Sequence, residues 1–381
     1  MAKPESHAAG LRRERVLASP RFSDGTFHNT HPVAPGLKKG TTAPTLKEFL
    51  CGGQRRTPPA PLPAKDPLPR WQKPSQSGLR ATWLGHSTVV LEIDGARVVT
   101  DPVWSERTSP VRFAGPRRFQ PVPVAIAALP PIDAVVLSHD HYDHLDLAAL
   151  RELSERKIPI ITALGVGAHL AAAGVAEDGI TELDWWEEVR VPGTELRVTA
   201  APSQHFSGRG LGDRNRTLWA SLALRGPRHS VFFSGDTGLT PEHGEIRSRL
   251  GPFDLIMLEV GAFHPAWGDI HLGPENALAA HALLTGGGSG AFLPVHWGTF
   301  NLALHAWDEP AETLVRLASG RGVQLVMPQL GEPVEPSQID RVTPWWRAVA
   351  AQEKAENKTE ADTIEAPAEE QAAEALPWPI D

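Results

Sequence analysis

Between Ser138 and His144 the chain places three histidines and two aspartates in six consecutive positions, His139-Asp140-His141-Tyr142-Asp143-His144, directly after the apolar run Ala134-Val135-Val136-Leu137. Such a run reads as a buried strand, and a buried strand delivers its end to one fixed place. Imidazoles beside carboxylates suit zinc and related divalent ions better than calcium or magnesium. Ordinary turns are built from Gly, Pro, Asn and Ser instead, so the loop is expected to hold an ion. Cys51 is the only cysteine, which excludes an internal disulfide and a Cys-rich zinc site. Any metal must be held by His, Asp or Glu.

One loop does not complete a metal site, and further ligands are expected where strands stop, because strand ends hold side chains rigidly. Three places qualify. Pro202-Ser203-Gln204-His205 follows an expected strand over Leu196–Ala201, Ser234-Gly235-Asp236-Thr237-Gly238 follows Val231-Phe232-Phe233, and Pro294-Val295-His296-Trp297-Gly298 closes a strand that begins at Ala291. A lone histidine at a strand end is more often a hydrogen-bonded core residue. With Asp140 set aside, however, the first loop and these three places give seven residues of ligand type, enough for two metals sharing a bridge.

The rest of the chain divides into three parts. Residues 1–78 form a Pro- and Lys-rich N-terminal extension, with Pro58, Pro59, Pro61, Pro63, Pro67 and Pro69 crowded together and one short helix expected over Thr45–Leu50. Residues 1–80 carry a net charge of +9; with no amphipathic basic helix and no aromatic-interleaved basic patch, they read as a solvated arm and argue against nucleic acid. The catalytic domain is expected over 79–347. Strands are expected at Leu79–Leu84, Thr88–Ile93 and Ala96–Thr100, the last two joined by the hairpin signal Asp94-Gly95. Helices and strands then alternate to a last expected strand at Val323–Met327. Residues 348–381 carry a net −7 in an Ala- and Glu-rich stretch, the composition of a disordered tail. No apolar run is long enough to cross a bilayer, and Met1–Arg15 lacks the apolar core of a secretory signal. A cytoplasmic protein is expected.

The arrangement His139-x-His141-x-Asp143-His144, then His205, Asp236 and His296, resembles the metallo-β-lactamase superfamily. Within it the chain is most similar to the N-acyl-phosphatidylethanolamine-hydrolysing phospholipase D family, through Thr82-Trp83-Leu84-Gly85-His86, Thr100-Asp101-Pro102, Gly115-Pro116-Arg117-Arg118-Phe119, Leu183-Asp184-Trp185-Trp186-Glu187-Glu188 and His296-Trp297-Gly298-Thr299-Phe300. These blocks are not needed to bind a metal, and the resemblance spans about residues 75–335.

The resemblance implies an α/β fold, the αββα sandwich. It implies two Zn2+ per chain, with Mn2+ or Fe2+ compatible: one held by His139, His141 and His205, the other by Asp143, His144 and His296, with Asp236 bridging. It implies a phosphodiesterase of phospholipase D type, in which a metal-bridging hydroxide attacks an N-acyl-phosphatidylethanolamine-like lipid, with Asp143 and His271 as catalytic residues. His271 would donate to a substrate oxyanion. His86 and Asp101 would orient ligand imidazoles, and Asp140 would be an outer or helix-capping residue. Trp104, Phe206, Trp219, Phe263 and Trp267 would pack the core or line an acyl pocket. The expected partner is a phospholipid or another small-molecule substrate, with peripheral contact at the inner face of the membrane, and a homodimer is compatible with the reading. Two alternatives remain: a lactonase of the ascorbate-phosphate type, and a metal-stabilised scaffold without turnover.

Overall fold

The computed structural model describes residues 7–351 apart from 34, 35, 112 and 211. From residue 352 onward the expected acidic tail, including Leu376–Ile380, lies outside the described residues. In chain order the elements are α1 (His7–Ala18), β1 (Phe22–Ser23), β2 (Thr26–Phe27), α2 (Thr42–Cys51), α3 (Leu68–Trp71), β3 (Leu79–Gly85), β4 (Thr88–Ile93), β5 (Ala96–Thr100), β6 (Ala134–Leu137), α4 (Leu147–Glu155), β7 (Ile160–Ala163), α5 (Gly167–Ala172), β8 (Ile180–Leu183), β9 (Glu188–Arg190), β10 (Arg197–Ala201), β11 (Ser221–Arg225), β12 (Ser230–Phe233), α6 (Glu242–Leu250), β13 (Leu255–Glu259), α7 (Gly273–Thr285), β14 (Ala291–Val295), α8 (Glu309–Ala318) and β15 (Pro333–Val334).

The strands form two large sheets. One has seven strands in the order β15-β3-β4-β5-β6-β7-β8, and the other has six in the order β14-β13-β12-β11-β10-β9. Pairing is antiparallel from β15 to β5 and parallel from β5 to β8; in the second sheet β12, β13 and β14 are parallel. One continuous apolar core draws on both, with Trp83, Leu91, Val136 and Ile161 from the first and Leu222, Phe232, Met257 and Leu293 from the second. Helices α4 and α5 pack together, and α6, α7 and α8 pack in a row with α7 against β13. This is the αββα sandwich.

Local chemistry explains the strand positions. β4 and β5 meet at Asp94-Gly95, both at positive φ (50° and 94°), the backbone that this dipeptide adopts in a tight hairpin. Arg80 is buried inside β3 because Glu92 stands opposite it on β4 and pairs with it, a cross-strand ion pair with its polar atoms satisfied. The expected strand at Val323–Met327 is instead one bridge, Phe292 with Leu325, held by Phe292 N–H donating to Gln324 O and Val326 N–H donating to Phe292 O. The next rung would need an N–H from residue 294, and Pro294 has none.

The N-terminal segment also differs from a solvated arm. Arg12 of α1 reaches Glu177 at 2.7 Å and Glu182 at 2.5 Å, with its side chain only 10% exposed. Arg15 of the same helix pairs with Glu187, so two of its three arginines are met by acids of the same chain.

Candidate metal centre

Each residue singled out at a strand end arrives at one edge of the sandwich. Those of 139–144 follow β6, His205 follows β10, Asp236 follows β12 and His296 follows β14, while His86 sits in the turn between β3 and β4. The Gly-flanked loop at Asp236 is required by packing. A Cβ on Gly235 (φ 54°) would stand 2.5 Å from Ser138 Cβ, and one on Gly238 would stand 1.8 Å from the Asp269 carbonyl oxygen. Three non-glycine residues here hold left-handed backbones: His86 at φ 51°, Asp101 at 30° and His296 at 64°. Such conformations are costly and persist where surrounding bonds fix them. His296 N–H donates to His86 O (3.0 Å), and His86 N–H donates to Thr299 Oγ1 (2.6 Å).

The seven expected ligand residues come together in two adjoining groups of buried donors. One contains His139, His141, His205 and Asp236; the other contains Asp143, His144, His296 and one further member, His86. Within each group the donor atoms lie within 4.8 Å of one another. In the first, His141 Nδ1 is 2.8 Å from His139 Nε2 and 3.2 Å from His205 Nε2. Ligands about 2.0–2.1 Å from a tetrahedral ion sit roughly 3.3 Å apart, so these donors are spaced to share one. Asp236 Oδ2 faces both groups, 3.9 Å from His139 and His205 and 3.1 Å from His144 and His296. In the second group Asp143 Oδ2 is 2.9 Å from His86 Nε2 and 3.3 Å from His296 Nε2.

The donor set fits divalent cations on a further observation. His144 Nε2, His296 Nε2 and both Asp236 oxygens are buried, and none makes a properly directed hydrogen bond. Buried polar atoms are rarely left this way; here they converge on one shared space. Burial holds His139 and His205 well below the usual imidazole range, in the neutral form that ligates, and brings His86 down to about 3. Burial, the largest single effect, would lower His144 and His296, but Asp236 and Asp143 together, with Asp101 at His144, outweigh it and raise both, His296 to about 10. Asp143 and Asp236 are held well below the carboxylate range; burial opposes this, and His144 and His296 together, with His86 at Asp143, outweigh it. The carboxylate field that draws protons here would draw a cation equally.

Outer residues orient the donors. Asp101 accepts from His144 Nδ1 at 2.7 Å and from the Ser138 hydroxyl and N–H at 2.6 and 2.8 Å. Asp140 points away from both groups, accepting from Gly208 N–H (2.8 Å) and Thr217 Oγ1 (2.8 Å) and lying 3.2 Å from His169. His271 stands beside the centre, its ring 5.1 Å from that of His205 and 5.5 Å from that of His296. Its Nδ1 is 3.3 Å from Oε1 of Glu259, a fully buried acid that burial pushes above the usual range. His271, Phe263 and Trp267 line a cavity of about 420 Å³ with Lys38, Asn276 and Arg316. Trp219 and Phe206 are buried. The Trp219 indole donates to Ser203 O, and Phe206 packs edge-on to His141.

Sequence reasoning set His86 among orienting residues and did not single out Glu259. Both carried a readable signal: His86 follows Gly85 at a strand end, as the other donors do, and Glu259 is an acid closing the apolar run Leu255–Leu258.

Comparison with known proteins agrees with this geometry. Residues 96–297 match the family model described as a beta-lactamase superfamily domain. An uncharacterised protein of Mycobacterium tuberculosis is 46% identical over 331 residues, covering 86% of this chain and 88% of that one. The N-acyl-phosphatidylethanolamine-hydrolyzing phospholipase D 1 of Caenorhabditis elegans is 38% identical over 258 residues, 65% of this chain and 72% of that one. Among solved structures, the isothiocyanate hydrolase from Delia radicum gut bacteria superposes with a TM-score of 0.54 at 23% identity over 67% of this chain and 98% of that one, a likeness of fold.

Proposed function

Because the chain belongs to the β-lactamase superfamily, as a metallo-β-lactamase-fold hydrolase related to the N-acyl-phosphatidylethanolamine-hydrolysing phospholipases D, we propose that it is a two-zinc phosphodiesterase of phospholipase D type. Its substrate would be an N-acyl-phosphatidylethanolamine-like glycerophospholipid. The observation that carries the reading is the meeting of two donor groups at Asp236. His139, His141 and His205 would hold one cation, and Asp143, His144 and His296 the other, with Asp236 shared. When bound, two such cations lower the pKa of an intervening water toward about 7 and draw charge from a phosphoryl oxygen.

The chain's own groups do the rest. The carboxylates of Asp143 and Asp236 balance the cation charge, and Asp101 keeps the His144 ring turned toward the centre through Nδ1. His271, lining the cavity beside both groups, is placed to hold a proton or donate to a substrate oxygen. No side-chain nucleophile is required. Among the described residues no helix is long and apolar enough to cross a membrane, and we place the protein in the cytoplasm, meeting its lipid at the inner membrane face.

One observation favours a second reading, hydrolysis of a small polar lactone: Lys38, Asp269, Glu275, Asn276, Glu309 and Arg316 give the cavity a polar wall. The test covers both. Metal-replete protein given N-acyl-phosphatidylethanolamine in mixed micelles should release phosphatidate, and His141→Ala and Asp236→Asn should abolish release. Undiminished release in those variants would overturn the mechanism, and turnover of lactones alone would select the second reading.

A further inference from the structure

The segment before β3 touches the site loops in turn. Phe27 N–H donates to Asn215 O (2.7 Å), Lys38 N–H donates to Ala266 O (2.7 Å), and Glu48 lies 2.9 Å from His264. Between them Asn29 meets His205 with both ends of its amide. Its Nδ2 donates to His205 O at 2.7 Å, while its Oδ1 accepts from His205 N–H at 3.1 Å and from the Trp219 indole at 3.0 Å.

His205 needs such a partner. It lies beyond the end of β10 at Ala201, so neither its N–H nor its carbonyl has a ladder bond, and buried backbone polar groups must be satisfied somewhere. A side chain 176 residues away supplies the two-point contact that a neighbouring strand would otherwise make. The ring is fixed separately, with Nδ1 donating to Ile270 O at 2.9 Å and Nε2 left facing His141 and Asp236. Asn29 is itself anchored: it follows the β1–β2 hairpin, whose Phe27 is fully buried against the edge of Phe22 at 5.0 Å. The same indole that meets Asn29 donates to Ser203 O at 2.9 Å, binding the grip to the loop that carries His205.

We propose that Asn29 is a positioning residue of the metal centre, through which the N-terminal segment sets the backbone of His205 and completes the first donor group. The inference rests on the reading of His205 as a ligand. Other contacts of the segment, such as Arg12 with Glu177 and Glu182, touch no member of either donor group and provide a control.

The test is competition between the full-length protein and a chromogenic chelator for Co2+ and Zn2+, with the visible bands of bound Co2+ as a second readout. Asn29→Ala is expected to weaken one binding phase roughly ten- to hundredfold, the range for loss of an outer partner, and to alter the Co2+ bands while leaving the other phase unchanged. Asn29→Asp keeps the acceptor but sets a carboxylate oxygen against the His205 carbonyl, and should weaken the same phase at least as much; it carries the test if Asn29→Ala does not fold. Arg12→Ala should leave both phases as in the parent. Unchanged phases in Asn29→Ala, or equal weakening of both phases in Asn29→Ala and Arg12→Ala alike, would overturn the proposal. His205→Ala separates the two levels: it should abolish the phase that Asn29→Ala weakens, and retention of that phase would overturn the ligand reading itself.

Discussion

At Asp236 one carboxylate oxygen faces imidazoles of both donor groups, and against burial its charge, with the bond to Asp143, raises His296 to about 10. A divalent cation held there would displace the protons on these imidazoles. His243 behaves differently, because no acid answers it. It is fully buried on α6 with Nδ1 3.0 Å from Thr240 O, and burial lowers it to about 4. The unfolded chain takes up a proton near pH 6.5 that the folded chain refuses until about 4, so stability is lost as pH falls through that window, by up to about 3 kcal/mol. In chelator, thermal unfolding of His243→Leu should therefore fall less between pH 6.5 and 4.5 than that of the parent; parallel curves would contradict the assignment. At this scale much was legible in advance, because His and Asp after apolar runs stand out against ordinary turn residues. The Asn29 grip was not, since nothing near residue 29 in the chain indicates a partner at 205.

The elements carry the site by stopping in the right place, and Asp146 shows how one of them is held. It caps α4, with Oδ1 accepting from Ala148 N–H (3.0 Å) and Ala149 N–H (3.3 Å), while Oδ2 accepts from Trp104 N–H (3.0 Å) and Ser105 N–H (2.7 Å). The histidine loop is thus tied at its exit both to its helix and to the segment after β5. Asp146→Ala removes a cap and orphans two further backbone donors, at about 2–4 kcal/mol in denaturant unfolding, and Asp146→Asn should recover part of the loss. No measurable loss would show that water replaces the carboxylate. Strands such as Ala134–Leu137 and Ala291–Val295 were legible to the residue because they are unbroken apolar runs ending in Ser or His. Helix α1 was not: His-Ala-Ala-Gly-Leu-Arg-Arg-Glu-Arg-Val-Leu-Ala offers little apolar spacing, and its Arg12 and Arg15 dock on acids some 165–172 residues away.

Across the whole molecule the two donor groups join the sheets. His86 and the 139–144 loop come from the seven-stranded sheet, and His205, Asp236 and His296 come from the six-stranded one. Ions held there would bind the folded chain and not the unfolded one, and so stabilise it by mass action. Chelation should accordingly lower the melting temperature, and added metal should restore it. The sandwich was legible from the alternation of elements and the family motifs, while the docking of residues 7–51 across the site edge depends on pairings too distant to read locally. The most direct test of the account is the metal content of the folded protein, measured by inductively coupled plasma mass spectrometry after reconstitution and gel filtration. The account predicts two divalent ions per chain in the parent and fewer in Asp236→Asn; one ion or none in the folded, reconstituted parent would contradict it.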